Sequence, residues 1–270
     1  LMETVKALVP NGKIKNGCTR PYYITCDDGF PYAVKFKENP EGLRVLANEY
    51  VCAKLAEILE LPLASPRLIQ VDTTFVQDYG PEISDHIEDS ITPGVHFGTK
   101  KVKKAFQISN TQMLEKALNV ECIPEVILFD QIICNRDRDS NGGNLIFDAT
   151  KMEIVVIDHT HAFDLGPIWQ STDLKQRIGN PFELMDPTGY VYSKLVPFIR
   201  GNNPFNNIMG KLPRLNSSVI RDIINSIPDE WEVNEEEKKV LHEYLLDRIS
   251  RIEEVFPIIK PHLPFWKGGV

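Results

Sequence analysis

The apolar positions of this chain change their period part-way along it. Tyr22 to Cys26 and Tyr32 to Phe36 are short runs of aromatic and β-branched residues, separated by the turn signal Asp27-Asp28-Gly29. That pattern predicts a β-hairpin. Leu43, Leu46, Ala47, Tyr50, Leu55, Ile58 and Leu59 then recur mostly three or four apart, predicting a helix over 42–59 that Pro62 cannot continue. Leu68 to Val71 and Thr73 to Val76 read as further strands. Residues 78–98 hold Pro81, Pro93, Gly94 and Gly98 among polar positions and read as a loop ending near a boundary.

Beyond that point helical periods dominate. Gln112 to Leu118 predicts a short helix. Pro124 to Cys134 predicts another, with proline in the first turn, where its missing N–H costs nothing. Val126, Ile127, Leu128, Ile132 and Ile133 make this helix almost wholly apolar and therefore buried. Two short apolar runs joined by the turn Asp148 to Lys151 predict a second hairpin from Asn144 to Asp158. Residues 165–214 are rich in Gly, Pro and Asn and give no clear element. Ser217 to Ser226 and Asn234 to Phe256 read as helices. Asn234 and Glu237 have capping-box spacing, and Val240, Leu241, Tyr244, Leu245, Ile249 and Ile252 form the second helix's stripe. Strands first and helices later predict an α+β, two-lobed fold. Its β-rich N-terminal lobe, with one helix, would span 1–98, and its mostly helical C-terminal lobe, with the hairpin, 99–270.

Composition narrows the class. The chain has 270 residues, 42% hydrophobic and 25% charged, with a formal net charge of −8. This is ordinary globular composition, with enough chain for a core that needs no disulfide or metal. The acidic balance argues against non-specific nucleic-acid binding, and Lys100, Lys101, Lys103 and Lys104 read as a solvated face. Cys18, Cys26, Cys52, Cys122 and Cys134 are odd in number and lack CxxC spacing, against a disulfide framework or thiolate zinc site. No run approaches the ~18 apolar residues of a membrane helix, and Leu1 to Pro10 lacks a signal peptide's apolar core. The expected location is the cytoplasm.

The candidate chemistry concentrates between Asn135 and Asp158. An acid, an amide a few residues on, and a hairpin ending in a second acid are what phosphoryl transfer from ATP requires. One carboxylate stands near the accepting hydroxyl, and an amide and a carboxylate hold Mg²⁺. The hairpin brings Asn144 and Asp158 together, so both can serve one metal. Asp158 closes an apolar strand, where a carboxylate is more often functional than decorative. Asp164-Leu165-Gly166 mimics the D-F-G of protein kinases but lies past the strand end and reads as a turn. Asp139 stands five residues before Asn144 and Asp137 seven; spacing alone favours Asp139. Asp137, Asp139 and Asn141 also alternate like the opening of a calcium loop, although residue 148 is Asp148 rather than Glu and a strand follows.

The other parts are individually weaker. Lys35, in Tyr32-Ala33-Val34-Lys35-Phe36, is the candidate cation for the nucleotide phosphates; the plain alternative is a solvent-facing strand lysine. Glu49, beside Tyr50, is its candidate partner, with Glu41 and Glu57 as rivals. Gly17 and Thr19, within Asn16 to Arg20, either bring backbone N–H groups to a phosphate or form a plain turn. His159 and His161 lack a third metal ligand, and His86, His96, His242 and His262 show no partner pattern.

Taken in order, these residues resemble the HipA-like kinases. The resemblance is carried by Gly17-Cys18-Thr19-Arg20-Pro21, Asp28-Gly29, Tyr32 to Phe36, and Asn39 to Glu49. Leu61-Pro62-Leu63, Gly94-Val95-His96-Phe97-Gly98, Asn135 to Arg138 with Asn144, and Ile157-Asp158-His159 continue it. It implies a protein-kinase-like fold in which Gly17, Thr19, Lys35, Glu49, His96 and Phe97 hold ATP, the last two as a hinge. It also implies that Asn144 and Asp158 carry Mg²⁺ and that Asp137, rather than Asp139, is the catalytic acid. The implied acceptor is a hydroxyl, of protein Ser/Thr or, by the phosphoinositide kinases' shared Asp-Arg pair and late Asp, of a lipid. Thr160 departs from the pattern, which has glycine there. A nucleotide-binding pseudokinase and a metal-dependent hydrolase or calcium-binding protein are the competing classes.

Overall fold

The computed structural model describes residues 2–138, 144–185 and 189–269. Five strands, β1 (Thr4–Lys13), β2 (Tyr22–Cys26), β3 (Pro31–Lys35), β4 (Pro66–Val71) and β5 (Gly94–Lys100), close a barrel in the order β1-β2-β3-β5-β4. Only the β1–β4 pair that closes it is parallel. Period-two alternation sends Tyr22, Ile24, Tyr32 and Val34 inward, where they pack with Ile69 and Val71. Gly98 lets β4 pack against β5, since a Cβ there would lie 2.7 Å from Ile69 Cγ1.

Helix α1 (Arg44–Ile58) leaves β3, and helix α2 (Thr73–Ile87) lies between β4 and β5. The strand expected at 73–76 and the loop expected from 78 are therefore largely one helix. Asp72 caps it, accepting the Phe75 N–H at 2.8 Å. Phe75, Ile83 and Ile87 then dock on the barrel core, so a local β preference yields to a cap and tertiary burial. Strand β1, which no sequence pattern singled out, adds to the barrel, and residue 98 falls inside β5.

Past β5, strands β6 (Ala105–Gln107), β7 (Leu145–Asp148) and β8 (Glu153–Val156) form an antiparallel sheet. The helices are α3 (Thr111–Glu115), α4 (Ile123–Ile133), α5 (Ser171–Arg177), α6 (Tyr192–Leu195), α7 (Asn206–Lys211), α8 (Ser217–Asn225), α9 (Glu235–Ser250) and α10 (Phe256–Ile259). The unreadable region 165–214 thus holds short helical pieces. In α9 both arms of the Asn234–Glu237 capping box are present. Every residue of α4 is buried, as its composition requires. Most of α1 is buried as well, in the main core that it shares with the later helices. Among the described residues no helix is long and apolar enough to cross a membrane.

A buried ion pair lies beneath the second hairpin. Arg138 Nε sits 3.0 Å from Asp130 Oδ2, and both side chains are fully buried. Asp130 also accepts from Tyr192 at 2.8 Å and from Asn135 Nδ2 at 3.2 Å. Arg138 Nη1 donates to the carbonyls of Asn144 and Ile157, one at each end of the hairpin. Removing one partner strands a desolvated charge. Asp130→Ala is expected to lower the unfolding free energy by about 3–5 kcal/mol, measured by chemical denaturation; a loss under ~1 kcal/mol would mean that the clamp is dispensable.

Candidate active site

A cleft of about 610 Å³ opens between the barrel and the β7–β8 hairpin, within the size range of small-molecule sites. Gly17, Thr19, Lys35, Glu49 and Phe97 line it from the barrel and α1; Asp137, Asn144, Asp158, Thr160 and His161 line it from the other side.

Lys35 is at the centre. Alternation along β3 points it out of the barrel, on the face that a lone strand would give to solvent; here α1 covers that face. Its ammonium pairs with Glu49, lies 3.0 Å from Asp158 Oδ1, and donates to Thr160 Oγ1 at 2.7 Å. Burial opposes the charged lysine, but Asp158 and Glu49 outweigh it and raise its pKa. Burial likewise opposes both carboxylates, and Lys35 outweighs it, holding Glu49 and Asp158 below their ordinary values. Glu49 is thereby separated from its rivals: Glu57 pairs with Lys54 on the surface, and Glu41 faces His161.

The hairpin delivers the remaining groups. Leu145 pairs with Val156, and the Ile157 N–H donates to the Asn144 carbonyl at 3.2 Å, so Asn144 and Asp158 leave adjacent strand ends. Asp158 has φ +60°, a left-handed conformation uncommon outside glycine, which turns the chain as it leaves β8. Its Oδ1 accepts the Thr160 N–H at 3.1 Å. Asn144 Nδ2 donates to Asp137 Oδ2 at 3.0 Å. Asp137 is therefore brought together with the hairpin residues. Asp139 and Asn141, the rival acid and part of the calcium-loop pattern, lie outside the described residues.

Not every expected residue faces the cleft. Phe97 lines it, but His96 does not. The His96 ring is buried against Phe36, and its Nδ1 accepts the Lys37 N–H at 3.0 Å. Burial, and then the Lys37 charge, push its pKa down to about 3, so it is a neutral core histidine. The β5 alternation turns its side chain to the side opposite Phe97, away from the cleft. Asp164 sits in a turn, as expected, with its carboxylate paired to Arg136 and Arg177. His159 and His161 do not converge on a metal. The first packs its ring on Phe129 while its N–H donates to Glu49 at 3.1 Å. The second lies between Asp137 and Glu41.

Thr160 and His161 are the site residues that sequence reasoning missed as such. Thr160 bridges the central pair, its hydroxyl also lying 3.2 Å from Glu49 Oε1. The only signal for it was its departure from the family's glycine. Among the described residues no cluster of three or more His, Cys, Asp or Glu could hold a metal by itself. One carboxylate and one amide oxygen suit a hard cation such as Mg²⁺, which takes few protein ligands and completes its shell with phosphate and water.

A model of the HipA-like kinase family matches residues 10–178. No curated protein sequence matches the chain. Among solved structures, the Helicobacter pylori proinflammatory kinase CtkA is similar at 16% identity and TM-score 0.59, over 97% of this chain and 99% of that one. At that identity the likeness shows the fold alone. The Golgi casein kinase aligns at 11% identity and TM-score 0.44, over 95% of this chain and 73% of that one. HipA of Shewanella oneidensis MR-1, solved in a toxin–antitoxin complex with HipB and operator DNA, aligns at 13% identity and TM-score 0.42. That alignment spans 77% of this chain and 55% of that one.

The central charges set an acid dependence. Glu49 and Asp158 have folded-state values below their ordinary 4.5 and 3.8. The stability they contribute is complete above those ordinary values and is lost as pH falls through the lowered ones. In Lys35→Met the buried carboxylates lose the cation that held them ionised. Thermal melts between about pH 3 and 6 are expected to show a weaker loss of stability on acidification in the variant than in the wild type. Parallel pH profiles for the two proteins would contradict the charge balance described.

Proposed function

The chain belongs to the HipA-like kinase family, and from that membership we propose that it transfers the γ-phosphoryl group of ATP to a hydroxyl acceptor in the cleft beside Lys35. The observation that carries this reading is the convergence of Lys35, Glu49 and Asp158 opposite the Asp137–Asn144 pair. It supplies a fixed cation, two metal-compatible oxygens and one further carboxylate. Phosphoryl transfer asks little more of a protein than such positioning and charge neutralisation.

In this reading the chain is two-lobed, with the division after residue 98 and β5 carrying the first lobe's sheet to Lys100. Lys35, held by Glu49, binds the nucleotide phosphates, and Gly17 and Thr19 in the preceding turn approach them from above. Asn144 and Asp158 hold Mg²⁺, which neutralises phosphate charge when bound. Asp137 accepts a hydrogen bond from the acceptor hydroxyl and orients it for in-line attack. Phe97 borders the nucleotide. The acceptor class proposed is protein Ser/Thr, with a lipid hydroxyl as the alternative. A pseudokinase is disfavoured because the charged parts of the reaction are all present in one cleft.

Purified protein with γ-labelled ATP and Mg²⁺ is expected to label itself or an acceptor, or to consume ATP. Asp137→Ala and Lys35→Ala are each expected to lower the rate by about 10²–10⁴-fold, the second also weakening ATP binding. Asp139→Ala is expected to retain most activity. The absence of both ATP binding in a thermal-shift assay and phosphoryl transfer would overturn the kinase reading. Loss in Asp139→Ala with retention in Asp137→Ala would exchange the two roles.

A further inference from the structure

We propose that His161 is a positioning residue for Asp137, an imidazolium that ties the loop after α4 to the segment before α1 across the mouth of the cleft. The proposal rests on the kinase reading above.

The geometry carries it. His161 Nδ1 lies 3.6 Å from Asp137 Oδ2, and Nε2 lies 3.4 Å from Glu41 Oε1. A neutral imidazole donates from only one nitrogen. Both nitrogens lie within ion-pair distance of a carboxylate, and only the doubly protonated ring presents an N–H to each. Among the described residues, Asp137 and Glu41 are the charged groups that face it from the two segments. They push its pKa up to about 10, Asp137 most and then Glu41, against partial burial.

The ring is also fixed from behind. The His161 carbonyl accepts the Arg136 N–H at 3.3 Å. Gly166 packs on the ring so closely that a Cβ there would come within 2.9 Å of His161 Cδ2. The Gly166 carbonyl in turn accepts from Asn48 of α1 at 3.0 Å. Asp137 Oδ2 is thus addressed from two sides, by Asn144 and by His161. Such a pair fixes the direction in which the carboxylate meets an acceptor hydroxyl, and a misplacement of about 1 Å at a reacting group costs on the order of 10²-fold in rate.

The test compares wild type, His161→Gln and Glu41→Gln in ATP turnover, with thermal melts to verify folding. His161→Gln is expected to lower kcat by about 10–100-fold while KM for ATP changes less than about 2-fold, because Lys35, Glu49 and Asp158 are untouched. The wild-type rate should fall as pH rises through about 10, and this alkaline limb should disappear in His161→Gln. By NMR the His161 ring should titrate near 10 in the wild type and closer to 6.5 in Glu41→Gln. A His161→Gln enzyme with wild-type kcat and pH profile, or a wild-type ring titrating near 6.5, overturns the proposal. A wild-type chain with no turnover sinks the kinase reading and this role with it, whereas undiminished turnover in His161→Gln sinks only the role.

Discussion

The Arg138–Asp130 pair is the constraint on which the site depends. Desolvating two charges costs several kcal/mol each, and their attraction offsets this only when every remaining donor and acceptor is occupied. Here Tyr192 and Asn135 complete Asp130, and the carbonyls of Asn144 and Ile157 complete Arg138. Hydrophobic residues of equal volume could fill the same space. They could not grip both ends of a hairpin by its carbonyl oxygens, and that grip holds Asn144 and Asp158 side by side.

A second network builds outward from this anchor. Lys35 comes from the barrel, Glu49 from α1 and Asp158 from the end of the hairpin, so the pairings in the cleft join three elements distant in sequence. The Thr160 hydroxyl stands within reach of both Lys35 and Glu49. A glycine at that position would leave this buried pair with one fewer partner. Thr160 thereby ties the segment after Asp158 to the central pair. On that segment the next residue but two, His161, meets the two acids that border the cleft mouth.

The barrel and the later helices meet through α1, whose buried faces belong to the main core. Trp231 adds a tie, donating to the Val95 carbonyl at 2.8 Å, while Glu230 accepts from the Val95 N–H and from Lys37. These contacts fix the start of β5 against the segment between α8 and α9, so the cleft wall that carries Phe97 is braced from the side away from the cleft.

The sequence by itself determined the elements whose signals are local. Tyr22 to Phe36 alternated about a turn, Pro124 to Cys134 was almost wholly apolar, and Asn234 with Glu237 marked a helix start; each stands where its pattern put it. The order of acid, amide, hairpin and acid was legible for the same reason, since a short hairpin fixes its own ends. What only the tertiary structure decided were choices that depend on what covers a face. Lys35 follows strand alternation whether its outer face meets water or α1. Glu49 could not be picked from periodicity because α1 is buried nearly all round. His96 and Phe97 are neighbours in sequence on opposite sides of β5, and only the packing shows which side is the cleft. The helix at Thr73–Ile87 arises because a cap at Asp72 and a barrel end needing apolar cover outweigh four residues of β preference. His161 has no local signal, because its partners lie at Glu41 and Asp137, and a long-range ion pair exists only after the chain has closed on itself.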